Sequence, residues 1–328
     1  MFTKTMPKTK KISKLRIIFM GTSRLAEVVL ESLLKEKYNV AAVFTQPDKK
    51  AGREKKLKIS PVKKLSKKHK IALFQPERLD NAVIGIIKKL KPDLIIVAAY
   101  GKILPKEILE IPGFGSLNVH ASLLPKFRGP SPVQNALMAG EKETGATIML
   151  MDEGVDTGDI LSQKAVKISA KDTRPVLSLK LARLGSTLLL KTIPLWIEGK
   201  IKRKKQDEAR AILCQLIERN DGRIFWDEKA EIIYNKYRAL SPWPGIFCFW
   251  ENNDFLKRIK LLKISFRKDN SSKNQRRPGE VFRLKSKIAI QAVEGIIIIE
   301  LIQLEGKKPL SAKEFINGYP DFIGSVLK

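Results

Sequence analysis

Four short apolar runs within the first 120 residues constrain the fold more than any other feature: LRIIFMG (15–21), NVAAVFT (39–45), DLIIVAA (93–99) and GSLNVH (115–120). They are rich in Val, Ile and Phe and show no polar alternation, so a strand made from one of them buries both of its sides. Between them, LAEVVLESLLKE (25–36) and NAVIGIIKKLK (81–91) repeat apolar residues at intervals of three and four, the period of an amphipathic helix. Strands buried on both faces and alternating with helices predict an α/β fold with a doubly wound, mostly parallel sheet. In such a sheet ligands gather outside the carboxyl ends of the strands. Gly21-Thr22-Ser23, Tyr100-Gly101 and Asn118 to His120 are therefore expected to border one crevice. GATIMLM (145–151) and ILSQKAVKI (160–168) read as further strands, followed by a long helix from Thr173 to Trp196.

At EGKIKRKKQDEARA (198–211) the periodicity stops and charge takes over, which reads as an exposed linker. Beyond it, DEKAEIIYNKYRAL is a predicted helix, and IFCFW, RIKLLKISF, GEVFRLK, KIAIQAV and GIIIIELIQL are predicted strands at short spacing. Strands so close together suggest a small β-barrel. The expected organisation is a basic tail (1–14), an α/β domain (15–200), a linker (201–220) and a small OB-like β-barrel domain (221–328).

Charge narrows the partners. Lys and Arg number 63 against 34 Asp and Glu, a net charge of +29, and such a field draws polyanions and speeds their encounter. A lysine-rich surface gives the same total, so location matters more than the sum. The segment from Lys49 to Lys70 holds eleven Lys or Arg and one acid, Glu54. Its first part, carrying Lys49, Lys50, Arg53, Lys55 and Lys56, is predicted to be a long flexible loop overhanging the strand-end crevice, with a helix starting at Ser60-Pro61. No apolar run is long enough for a membrane span, and Cys214 and Cys248 form no CxxC pair. The chain is read as soluble and cytosolic, without a structural metal.

Of the two histidines, His69 lies among solvated lysines, whereas His120 ends an apolar strand. Asn118 lies two residues earlier, on the same strand face. An imidazole beside an amide donor offers proton transfer and a partner for a developing oxyanion. The same spacing also fits a core histidine whose bonds are already satisfied. Asp156, in DEGVDTGD (152–159), is a candidate to orient the imidazole, and spacing alone does not choose it over Asp152, Glu153 or Asp159. Neither GxGxxG nor a P-loop follows the first strand.

With these residues in view, FMGTSRLAEVVLESLL, VFTQPDKKAGREKKLKISPVK, AAYGKILP, LNVHASLLPKFRGPSPVQNALMAGEKETGATIML and MDEGVDTGDIL, in that order, closely resemble the methionyl-tRNA formyltransferases. The resemblance runs from about Leu15 to Lys200 and more loosely to the C-terminus. It implies transfer of a formyl group from 10-formyltetrahydrofolate to the α-amino group of methionyl-initiator tRNA. Asn118, His120 and Asp156 are then the catalytic residues, with His120 acting either as proton relay or as cationic stabiliser. Ser122, Leu123, Leu124 and Pro125 become folate contacts, with Tyr100 and Gly101 beside them. The basic loop from Pro47 to Ser60, with Arg53 as its important arginine and Lys49, Lys50, Lys55 and Lys56 around it, becomes a tRNA-binding element together with the C-terminal barrel. A cytoplasmic monomer needing no metal is expected. Ser23 departs from the pattern, which has proline there. An amino-sugar formyltransferase shares the catalytic trio but needs neither the basic loop nor the barrel, and a non-catalytic RNA-binding protein leaves the trio without a task.

Overall fold

The computed structural model describes residues 14–51, 56–252, 255–268 and 276–328. The chain divides into two compact units. The first comprises residues up to Pro132 together with Glu143–Ile168 and Val176–Gln215, and the second comprises Val133–Lys142, Ser169–Pro175 and Leu216–Lys328.

In chain order the elements are β1 (Arg16–Gly21), α1 (Arg24–Lys35), β2 (Asn39–Phe44), β3 (Lys49–Ala51), β4 (Lys56–Lys58), α2 (Pro61–Lys68), β5 (Ala72–Phe74) and α3 (Asn81–Leu90). Then come β6 (Leu94–Ala98), α4 (Lys106–Leu109), β7 (Ser116–His120), α5 (Pro132–Met138), β8 (Glu143–Leu150), β9 (Ile160–Lys167) and α6 (Arg174–Ile197). The remainder is α7 (Ala230–Leu240), β10 (Ile246–Asn252), β11 (Phe255–Arg267), β12 (Val281–Leu284), β13 (Lys287–Gln291), β14 (Ile296–Leu304), β15 (Leu310–Ser311) and α8 (Ala312–Gly318).

The first unit is built on a seven-stranded sheet in the order β5-β2-β1-β6-β7-β8-β9. The pairs from β5 through to β7 are parallel, while β8 runs antiparallel to both of its neighbours, β7 and β9. Both sides of the strands are buried, as the apolar runs require. Ile17 and Phe19 join one core cluster with Val29, Leu33 and Leu189, whereas Ile18 and Met20 join another with Ile84, Ile87 and Ile108. The α/β expectation thus holds. Ser23 caps α1 by accepting from the Ala26 amide, so the residue that departs from the family pattern still starts the helix. Ser60 caps α2 and Pro61 opens it, as predicted.

One expectation for this unit needs correction. The basic loop is a β-hairpin at its base: β3 and β4 pair antiparallel, Lys49 opposite Lys58 and Ala51 opposite Lys56. Lysine has poor strand propensity, so the ladder is invisible to side-chain pattern. Arg53 and Lys55 lie outside the described residues. The run 201–211 is largely exposed, as expected, and its main chain is also bonded within the first unit. Lys204 exchanges both main-chain bonds with Ile160 (2.8 and 3.0 Å), and Arg128 bonds Ile212 and Cys214 (2.8 and 2.7 Å). Main-chain bonding of this kind leaves no trace in a charge-dense sequence.

The second unit is an antiparallel sheet in the order β10-β11-β14-β13-β12, with β15 added to β14. Its two edges are joined through the last residues. Phe249 of β10 exchanges both main-chain bonds with Lys328 (2.7 and 2.8 Å), while Leu327 and Ser325 bond Gly279 and Val281 (2.9 Å each). The last residues thus bridge the two edge strands of a small barrel-like sheet and cover part of each edge. Trp250, 1% exposed, packs among Phe255, Phe315, Tyr319 and Phe322.

Candidate active site

The chain passes from β1 out to β2 and β5, then returns to β6 and β7 on the other side, so the strand order reverses between β1 and β6. Their carboxyl ends, Gly21 and Ala98, lie opposite each other. A crevice at such a reversal is where an open α/β sheet binds ligands. The strand ends are tied together by Gln46, whose Nε2 donates to Tyr100 O (2.9 Å) and Gly101 O (3.0 Å), and by Thr22, whose hydroxyl donates to Tyr100 O (3.1 Å).

Asn118 and His120 extend from the adjacent strand β7 and are 9% and 6% exposed. Between them stands Asp156. Asn118 Nδ2 donates to Asp156 Oδ1 at 3.2 Å, and His120 Nδ1 lies 3.4 Å from Asp156 Oδ2. The same Oδ2 accepts the Gly129 N–H at 2.8 Å. The other ring nitrogen of His120, Nε2, is 2.9 Å from Phe127 O. A carbonyl only accepts, so Nε2 carries a proton and donates. One carboxylate therefore orients both the amide and the imidazole.

The four acids left open by the sequence separate cleanly. Asp152 accepts from Thr157 Oγ1 (2.6 Å) and the Gly154 N–H (3.2 Å), which folds its own loop. Glu153 pairs with Lys106 at the surface (3.1 Å), and Asp159 is 3.8 Å from Arg203. Asp156 alone among the four meets His120. It does so from a φ of +55°, a left-handed conformation in which Asp is tolerated and most residues are not.

The loop after β7 is shaped by β8. Thr147, opposite His120 in the ladder, donates its hydroxyl to Ser122 O (2.7 Å) and accepts from the Leu124 N–H (3.2 Å). Gln163 adds a bond to Leu124 O (2.8 Å). Of the expected folate contacts, Ser122 and Leu124 are buried and Leu123 and Pro125 half-buried, with Leu124 packed on Met149 and Ile160. Tyr100 is placed differently from Gly101. Its ring is 2% exposed inside the core, its hydroxyl has no hydrogen-bond partner among the described residues, and burial pushes the phenol up to about 12. Gly101 is exposed at the rim.

A cleft of about 250 Å³ opens at the amino end of β7, lined by Leu109, Ser116, Leu150, Met151, Trp196 and Arg203 among others. Ser116 starts β7, and its buried hydroxyl has no partner among the described residues. Asn118 lies two positions and His120 four positions beyond Ser116, so this cleft and the carboxyl-end site lie toward opposite ends of β7.

At the base of the basic hairpin, Asp48 accepts from Lys63 Nζ (2.5 Å) and Gln75 Nε2 (3.1 Å), and the Lys63 ammonium holds its carboxyl below the usual carboxylate range. Lys49 is exposed.

Sequence reasoning missed Thr147, Gln163 and Gln206. The last donates to Asp156 O and Gly158 O (2.8 and 2.7 Å) from within the charged run where no pattern singled it out.

Residues 14–193 match the formyl transferase family, and residues 216–320 match the family of formyl transferase C-terminal domains. The methionyl-tRNA formyltransferase of Alkaliphilus metalliredigens is 43% identical over 306 residues, covering 93% of this chain and 95% of the relative. That of Caldicellulosiruptor saccharolyticus is 41% identical over 314 residues, covering 95% and 99%. Among solved structures, an N-formyltransferase from Helicobacter canadensis in complex with folinic acid and dTDP-3-aminofucose superposes with a TM-score of 0.64 at 20% identity, over 87% of this chain and 99% of that one. HypX from Aquifex aeolicus in complex with tetrahydrofolic acid gives 0.64 at 17%, over 94% and 48%. These two likenesses concern the fold alone. With relatives more than 40% identical across nearly its whole length and family matches in both halves, the chain belongs to the methionyl-tRNA formyltransferases.

Proposed function

We propose that Asn118, His120 and Asp156 are the groups with which this chain performs its family's reaction, the transfer of the formyl group of 10-formyltetrahydrofolate to the α-amino group of methionyl-initiator tRNA. The observation that carries the assignment is the single carboxylate of Asp156 in contact with both Asn118 and His120.

When an amine attacks a formyl carbon, negative charge builds on the formyl oxygen and a proton must leave the nitrogen. Asn118 spends one amide hydrogen on Asp156 and keeps a second for the oxyanion. His120 presents a protonated Nε2 on the same strand face, and productive binding exchanges its acceptor, Phe127 O, for the reacting oxygen. With Nε2 already protonated, the imidazole serves the oxyanion as a donor, Asp156 fixes the ring from its Nδ1 side, and the proton lost by the amine passes to solvent water. The reference pKa of an α-amino group is about 7.7 and esterification lowers it, so much of the nucleophile is neutral already and positioning matters more than deprotonation.

The formyl donor must bring its reactive carbon to Asn118 and His120, so we assign the folate to the carboxyl-end crevice rather than to the cleft at the amino end of β7. Gly101 and Ser122 to Pro125 form its border, with Tyr100 packing beneath. Lys49, Lys50, Arg53, Lys55 and Lys56 of the basic hairpin, with the C-terminal barrel, are the surfaces assigned to tRNA. A cytoplasmic monomer is the expected form.

The test is direct. The protein is incubated with 10-formyltetrahydrofolate and methionine-charged initiator tRNA, beside charged elongator tRNA and an amino sugar. Formylmethionyl-tRNA from the initiator alone is expected; formylation of the sugar instead, or free formate without acceptor, overturns the reading.

A further inference from the structure

Gln206 opens a strap of chain, residues 206–214, that directly follows the basic run 202–205. Its amide nitrogen donates to two main-chain oxygens of the acidic loop, Asp156 O at 2.8 Å and Gly158 O at 2.7 Å. Its amide oxygen accepts from Arg128 Nε at 3.0 Å. Arg128 is 3% exposed and gives both terminal nitrogens to Glu208, at 2.8 and 2.7 Å. The Glu208 carboxylate holds the Arg128 guanidinium firmly protonated, and Arg128 holds the Glu208 carboxyl below its usual range. Main-chain bonds from Arg128 to Ile212 and Cys214 fix the same strap from the other side.

What this relay clamps is a strained joint of the site. Asp156 has a φ of +55°. Two residues on, a Cβ on Gly158 would stand 1.8 Å from Leu150 O, so the loop runs tight against the end of β8. The loop backbone is thus pinched between that carbonyl and the Gln206 amide. Left to itself, a non-glycine residue relaxes out of the left-handed region, and such a rotation carries the side chain away from its present partners. Asp156 reaches Asn118, His120 and the Gly129 amide from the clamped conformation.

We infer, on the reading proposed above, that Gln206 is a positioning residue for formyl transfer: its two bonds hold the Asp156 backbone in the left-handed conformation that aims the carboxylate, and the Arg128–Glu208 pair holds Gln206. Gln206 touches no reacting atom.

The experiment is a double-mutant cycle. kcat and both KM values are measured for the wild type, Gln206→Leu, Gln206→Glu, Asp156→Asn and the Gln206→Leu/Asp156→Asn pair, with a melting curve for each. Glu at this position keeps an acceptor for Arg128 and loses the donor. Each Gln206 variant is expected to lose kcat on the order of tenfold with KM nearly unchanged, since small misplacements of a catalytic group carry costs of this size. In the Asp156→Asn background, Gln206→Leu should cost less than about twofold more, because it acts through the group already removed. An equal loss in both backgrounds, a loss confined to KM, or two Gln206 variants melted at the assay temperature overturns the inference. Near-normal kcat in Asp156→Asn alone overturns the catalytic reading, and with it the clamp. A normal Gln206→Glu beside a crippled Asp156→Asn overturns the clamp only.

Discussion

The acidic loop and the basic hairpin both follow strands of the same sheet, and they are built by opposite means. Asp156 is held on every side: Asn118 and Gly129 donate to its carboxylate, His120 stands at 3.4 Å, and Gln206 holds its carbonyl. The hairpin is anchored at its base, where Asp48 meets Lys63 and Gln75, and Lys49 is exposed. Stabilising a transition state demands donors fixed to fractions of an ångström before the reaction starts. Engaging a phosphate backbone demands charge, which acts over several ångströms and tolerates movement. On the assignment proposed above, the difference separates the measured constants: the acidic loop should set the rate once both substrates are bound, and the hairpin should set how well tRNA is engaged.

This division makes sharp expectations. Replacing His120 or Asn118 by Ala should lower kcat on the order of 100-fold while the melting temperature stays near that of the wild type, as for loss of a general acid–base group or an oxyanion donor. A near-normal kcat in either variant breaks the comparison at its catalytic end. Replacing Lys49 and Arg53 together by Ala should raise KM for charged tRNA several-fold and leave kcat and the KM for formyl donor nearly unchanged. The slope of log KM against log salt should fall by about one for each phosphate that the variant no longer neutralises. An unchanged salt slope removes the hairpin from the tRNA interface.

The smallest effect concerns Glu208. Arg128 lowers its folded pKa, so the pair contributes stability fully above the ordinary carboxylate range and loses it as pH falls through the lowered folded value. The side chain of Glu208 is 71% exposed, which screens the pair and keeps the effect modest. Melting curves of wild type and Glu208→Gln should differ slightly at neutral pH and converge in acid. A gap that widens on acidification contradicts the assignment.

Much of this was legible in residue types. Ile17, Ile18, Phe19 and Met20 announce a strand buried on both faces, and Asn118 and His120 announce a shared face by spacing alone. Spacing did not choose Asp156 over Asp152, Glu153 and Asp159, and only the family resemblance picked it out, because the choice depends on a left-handed turn and on which carboxylate folds back on its own loop. Gln206 was hidden for a related reason: its role is bonding to main-chain oxygens, which no side-chain pattern encodes. The β3–β4 hairpin was hidden because lysine-rich strands violate the usual propensities. Helix α8 does carry a signal of its own, since Ser311 and Glu314 form a capping box that stands in the sequence as S-A-K-E.

Whether Asp156 is the joint that aligns the amide and the imidazole is tested most directly by the single-turnover rate of Asp156→Asn with both substrates saturating. Asparagine fills the same space but lacks the charge. A fall on the order of 100-fold or more, with both substrates still bound, is expected for a lost orienting carboxylate. A rate within about twofold of the wild type contradicts it.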